Sequence, residues 1–243
     1  MTMVTSDAGK AALIKHEGVV PGPYLDGVNV WTYGIGHTAG SGNPPNPASL
    51  PRGMPADLDA ELVKIAQVFN KDLAMFEARV NEHIKVPLTQ NQFDALVSFD
   101  FNTGGIYYKE KATGKMRNAT LVDTLNAGNY ALAGQQFMNW KTPASIIGRR
   151  EEERDLFLYG RYPKGLANVW QVNSAGTVIW KPIRTLTPAQ VLALVGSQGS
   201  LEQVGNVADL NEMVITTDRT WTYKAGTYSA AIDAAGNLTV TEI

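Results

Sequence analysis

The stretch KHEGVVPGPYLDGVNVWTYGIGHTAG, Lys15 to Gly40, decides how the rest of the chain is read. A helical pattern carrying Ala11, Ala12, Leu13 and Ile14 runs into it and stops at Glu17-Gly18. Thr5 or Ser6 supplies the N-cap and Asp7 an acid in the first turn, Gly18 suits the position just past the helix, and Pro21 forbids continuation. From Tyr24 to His37, aromatic and β-branched residues are broken by Asp26-Gly27, the pattern of a short β-ribbon. A helix thus ends on one carboxylate and delivers the chain into a ribbon carrying a second.

Taken singly, these residues have ordinary readings. A helix-end glutamate usually faces water. Against that, a carboxyl at the negative end of a helix dipole, shielded by an adjoining ribbon, favours the protonated form that a general acid uses. Asp-Gly is a common turn dipeptide whose aspartate bonds its own backbone, and Thr32 alone is a strand residue. The glycines of YGIGHTAG are spaced G-x-G-x-x-x-G with no helix start behind them, which does not make a phosphate loop. Together the residues say more. Glu17 and Asp26 are nine apart (26 − 17), and Thr32 is six further on (32 − 26). Two carboxylates flanking a cleft, one protonated and one ionised, are what glycoside hydrolysis requires.

Working outward, residues 41–56 hold five prolines and read as a loop. Leu58, Leu62, Ile65, Phe69, Leu73, Phe76, Val80 and Ile84 then form one apolar stripe at helical spacing, a long helix over 57–84. TQNQFDALVSFDFNTGG opens with a capping box, Thr89 to Gln92, and closes at Gly104-Gly105. Further helices fit 119–127, 130–139 and 147–159, with 106–117 as a basic loop. After Pro163 the texture changes. VWQVNSAGTVIWK alternates around a Ser174-Ala175-Gly176 turn, TPAQVLALVG is a short helix capped by Thr187, and the last 25 residues suggest two or three strands. The expectation is an α+β protein: a mostly helical domain over 1–163 and a small β-rich module over 164–243.

Composition limits the chemistry. The 243 residues are 44% hydrophobic and 18% charged with net charge −2, so a packed core is expected and nucleic acid is not the implied partner. There is no cysteine, hence no disulfide and no thiolate nucleophile. His16, His37 and His83 are scattered, and HEG is not half of an H-E-x-x-H, so no metal and no cofactor are expected, which disfavours a zinc amidase. RREEERD, 149–155, reads most simply as a solvated helix face with internal ion pairs, the alternative being Arg149 or Arg150 facing carboxylates of a substrate. Trp170, Trp180, Trp221, Tyr223 and Tyr228 fit either a sugar-stacking surface or a small β core. No stretch reads as a signal peptide or a membrane span.

HEG…YLDGVNVWTYGIGHT resembles the catalytic stretch of the phage-type lysozymes, the endolysin muramidases of glycoside hydrolase family 24, and FDALVSFDFNTGG, TLVDTLNAGNY, FMNW and GRREEERDLFLYG fit the same family. The resemblance covers about residues 6–160. It implies a ribbon lobe and a helical lobe joined by the long helix, with the cleft between them. It implies Glu17 as general acid, Asp26 orienting the attacking water with help from Thr32, His37 supporting the ribbon, and Thr38, Phe101 and Thr120 contacting the glycan. The implied substrate is peptidoglycan, cut with inversion at the β-1,4 bond from N-acetylmuramic acid to N-acetylglucosamine. A monomer is expected, held in the host cytoplasm until a separate holin-type pore releases it, with 164–243 free to bind wall or self-associate. The pattern departs at the long loops 41–56 and 106–117 and at Gly134, where a polar sugar contact is expected. Two other readings stay open: a lytic transglycosylase, which needs no activated water, and a virion wall-binding protein with an accessory lysozyme domain.

Overall fold

The computed structural model describes residues 2–195 and the backbone of 228–232 and 238–242. The chain divides into two compact units, Met1–Gly199 and Ser200–Ile243.

The first unit opens with α1 (Asp7–Glu17), whose N-cap Ser6 accepts from the Gly9 N–H at 3.0 Å and whose inner face buries Ala12, Leu13 and Ile14. The ribbon follows as a three-stranded antiparallel sheet, β1 (Val20–Leu25), β2 (Trp31–Gly34) and β3 (His37–Thr38), in that order. Pro21 and Pro23 have no N–H to give, and β1 pairs with β2 only at Val20↔Gly34 and then from Tyr24↔Thr32 onward. The proline loop carries two short 3-10 turns, at 39–41 and 47–49, and leads into α2 (Leu58–His83). Asp57 caps α2 by accepting from Ala60 N at 3.0 Å. The expected stripe is the buried face: Leu62, Ile65, Phe69, Leu73 and Val80 are each at most 2% exposed.

The helical lobe is built on α3 (Gln90–Thr103), which buries Phe93, Ala95, Leu96, Val97 and Phe99. Gln92 accepts from Thr89 N at 3.0 Å, one arm of the expected capping box. Around it pack α4 (Thr120–Asn126), α5 (Tyr130–Gln136) and α6 (Ile147–Tyr159). Gly134 is what lets α5 lie against α6, because a Cβ there would run into Leu158. Two expectations change. The segment 106–117 is not a plain loop: β4 (Tyr107–Lys109) and β5 (Met116–Asn118) form a hairpin closed by an Arg117–Glu110 ion pair at 2.5 Å. Nor does the first unit stop near Pro163. The hairpin β6 (Ala167–Val172) and β7 (Val178–Leu186) and the helix α7 (Pro188–Val195) belong to it. Leu186, Val191, Leu194 and Val195 close over Ile14, Val19, Ile35, Leu62 and Ala66 in a single apolar cluster. The change of texture at Pro163 therefore marks a switch from helix to strand, not the edge of a core.

In the second unit β8 (Tyr228–Ile232) and β9 (Leu238–Glu242) pair antiparallel from Tyr228↔Glu242 to Ile232↔Leu238. Trp221 and Tyr223 lie outside the described residues. No helix among the described residues is long and apolar enough to cross a membrane.

Candidate active site

Glu17 is the last residue of α1. The helix stops there because Gly18 takes φ +66°, a conformation that L side chains resist, and because a Cβ on Gly18 would sit 2.6 Å from the Trp170 indole nitrogen. The carboxylate is mostly buried and its two oxygens face different groups. Arg149 Nη1 donates to Oε1 at 2.6 Å. Oε2 looks toward Gly36, where a Cβ would lie 3.7 Å from it and 3.2 Å from the Phe101 ring. Gly36, at φ +68°, thus keeps open the space shared by Glu17 and Phe101. On the helical side, Lys15, Glu17, Asn102, Ser145, Arg149 and Glu152 line an open cleft of about 470 Å³.

Asp26 begins the tight loop between β1 and β2. Its Oδ1 accepts from Val28 N at 2.9 Å and from Val30 N at 2.8 Å, so the side chain is fixed by its own loop, as its turn dipeptide suggested. Thr32, two residues into the return, is 4% exposed and donates to the Val30 carbonyl at 3.1 Å, which ties it to the same loop. Tyr24 is half-buried in β1. Burial pushes its hydroxyl well above the ordinary phenol range, with Glu17 and then Asp26 adding to the shift, so both acids act on one phenol. Phe101, in the last turn of α3, is a half-buried ring tilted against Phe76 and Phe69, at centroid distances of 4.8 and 5.8 Å. One face of the site is therefore aromatic and the other charged.

Residues 14–153 match the family model described as phage lysozyme. The chain belongs to the phage lysozyme family. Its relatives include the endolysin of Salmonella phage P22, 35% identical over 161 residues that make up 64% of this chain and 99% of that one. The endolysin of Bacillus phage B103 is 38% identical over 102 residues, 40% of this chain, and there the match spans only 36% of the relative. Among solved structures, the endolysin of Escherichia coli O157:H7 phage FAHEc1 superposes with a TM-score of 0.54 at 28% identity, covering 68% of this chain and all but 1% of that one. The active form of the phage P1 endolysin Lyz gives 0.50 at 26% identity, over 64% and 85% of the two chains.

The remaining residues singled out from the phage lysozyme motifs fall into two groups. His37 is 1% exposed, with Nδ1 2.6 Å from Asp72 Oδ2 and Nε2 2.6 Å from the Pro45 carbonyl. It pins β3 to α2 and to the proline loop, which is a supporting part. Thr38 is half-buried, and its hydroxyl accepts from Gly40 N at 3.2 Å to start the 3-10 turn. Thr120 opens α4 on the exposed surface and, among the described residues, makes no hydrogen bond toward Glu17 or Asp26.

Arg149, read from the sequence as solvated or as facing substrate carboxylates, is instead the partner of Glu17. RREEERD is not a solvated face. Arg150 and Glu153 are 0% and 1% exposed and pair at 2.8 Å, while Arg149 joins Glu153 at 2.9 Å and Glu17 at 2.6 Å. Ser98 Oγ donates to Glu153 Oε1 at 2.8 Å, and Arg150 Nη2 donates to Asn102 Oδ1 at 2.7 Å. Burial pushes the Glu153 carboxyl up, and the two arginines pull it back. The donors of Arg149 are met by Glu17, Glu153 and the Ser98 carbonyl, whereas buried Arg150 has its charge met by Glu153 and one donor met by Asn102, with Nε and Nη1 making no hydrogen bond. The signal was present in the spacing: Arg149, Glu153, Leu156 and Phe157 share the helix face that also buries the two apolar residues.

Proposed function

We propose that the protein is an endolysin muramidase that hydrolyses the β-1,4 bond between N-acetylmuramic acid and N-acetylglucosamine in peptidoglycan, with inversion and without a cofactor. Glu17 protonates the leaving oxygen from Oε2, because Oε1 is held by Arg149. Asp26 orients the attacking water, and Thr32 keeps the loop that aims it. Phe101 offers a ring face to the sugar chain next to the acid. The observation that supports this reading above the others is Glu17, held by Arg149 at one oxygen and lining an open cleft, in a chain of the phage lysozyme family. Delivery to the wall through a separately made pore belongs to the same reading. Lysis that needs no pore protein in a reconstituted host would remove that part of it.

The test is Glu17→Gln in the full chain. Gln keeps the size and the acceptor for Arg149 but cannot give up a proton. Release of muropeptides from purified wall should fall below detection while the thermal midpoint stays near that of the parent. Near-normal release by Glu17→Gln refutes the assignment.

A further inference from the structure

The ribbon that carries Asp26 is weakly tied to itself. Across Pro21, Gly22 and Pro23 the β1–β2 ladder is interrupted, and β1 lies at the edge of its sheet. An unpaired edge interrupted by prolines leaves a strand free to shift. The hairpin β6–β7 lies against that edge and meets it at both ends. At the Glu17 end, Val19 N donates to the Asn168 carbonyl and Trp170 N to the Val19 carbonyl, both at 2.8 Å, and the Trp170 indole covers Gly18. At the Asp26 end, Leu25 N donates to the Gly176 carbonyl at 3.0 Å, and Gly176 is packed so closely on Trp31 that a Cβ would lie 2.7 Å from its ring. Between the two ends Val172 fills the space beside Gly22, and its N–H is directed at Met54 Sδ, 3.4 Å away, in the proline loop.

We propose that β6–β7 is a strap that positions the two carboxylates, holding β1 by Val19 next to Glu17 and by Leu25 next to Asp26. Val169 and Val172 anchor it in the core at 0% and 1% exposure, and Arg184 pairs with Asp59 at the start of α2. The strap lies beyond the residues that match the phage lysozyme family model, so it is an addition to the family's shared part and not a copy of it. Gly176 and Trp31 are positioning residues under this proposal. They act on Asp26 through the backbone of the loop it caps.

The proposal rests on the muramidase reading for its kinetic readout only. Two full-length variants open the Asp26 latch from opposite sides. Gly176→Ala forces a Cβ against Trp31 at a backbone φ of +77°. Leu25→Pro deletes the N–H that reaches Gly176 and leaves the ladder to β2 alone, since Asp26 N, not Leu25 N, turns back to Val30. In both, kcat on purified wall should fall by up to about a hundredfold, the loss that a displacement of roughly 1 Å produces, with KM unchanged. Amide exchange at Val28 and Val30, the two donors to Asp26, should quicken, while Leu96 and Phe99 in α3 keep the parent's protection. Parental kcat, parental exchange at Val28 and Val30, or loosening that spreads equally into α3 each overturns the strap. If the parent cleaves no wall at all, the muramidase reading fails, and the exchange measurement still decides the strap.

Discussion

Glu17 and Asp26 are held by opposite means. Glu17 is reached from the far end of the catalytic region, by an arginine 132 residues away whose neighbours Glu153 and Arg150 are themselves buried. Asp26 bonds amides two and four residues along its own loop. The acid's place thus depends on three helices packing correctly, and the aspartate's place depends on a turn and on whatever holds that turn still. One end of the site is fixed because burying unpaired charge is expensive, and the other is fixed within a short loop that must itself be held in place.

That contrast can be pressed from both sides. The largest expected change is in activity: Asp26→Asn keeps the acceptor for Val28 and Val30 but removes the charge, and kcat should drop by about 10²–10⁴-fold with no shift in the thermal midpoint. Unchanged turnover would mean that the loop and not the carboxylate matters. Arg149→Met should act on stability as well, by about 3–5 kcal/mol in chemical denaturation, because it leaves buried Glu153 with Arg150 as its one charged partner and Ser98 as its one hydrogen bond, and strips Glu17 of its arginine. A loss below about 1 kcal/mol, as for an exposed pair, would show that the network does not fix the helical end.

A pH scan separates the two ends further. Burial, then the Arg149 charge, lowers the pKa of His16 from 6.5 to about 3. Glu152 Oε2 lies 3.3 Å from its Nε2 without making a hydrogen bond. Folded His16 is therefore neutral where the unfolded chain binds a proton, so stability contributed above pH 6.5 is lost as the pH falls from 6.5 toward about 3. The slope is at most about 1.4 kcal/mol per pH unit. His16→Gln should flatten the thermal midpoint across this window, and an equal acid loss in parent and variant would remove His16 from the explanation. Asp59→Ala, which breaks the exposed pair with Arg184, should cost only about 0.2–1 kcal/mol, and a larger loss would mean that the strap's outer end carries more of the fold than its burial suggests.

The same contrast explains what could be read from the sequence. α1, α2, α3 and the ribbon were legible because each is marked locally, by Ser6, Gly18, Asp26-Gly27, Gly104 or an unbroken apolar stripe. Asp26 was legible as a turn for the same reason, although its chemical role came only from resemblance. Arg149 was not, because what decides whether a charged residue on a helix is solvated is the partner across the fold, and Glu17 is remote in sequence. The hairpin β6–β7 was recognised as strands and assigned to the wrong unit. Alternation says which residues pair within a hairpin, but it does not say which core the buried face joins, and here Val169, Val172 and Leu186 join the core begun by α1.

The central claim is that Glu17 and Asp26 together add water across a β-1,4 glycosidic bond, and it is tested most directly by the chemistry of the new chain end. Proton NMR of purified glycan strands during the first turnovers should show a reducing muramic acid end appearing as the α-anomer, the result of inversion by water. A β-anomer formed first contradicts the role given to Asp26, and a 1,6-anhydro end contradicts hydrolysis altogether.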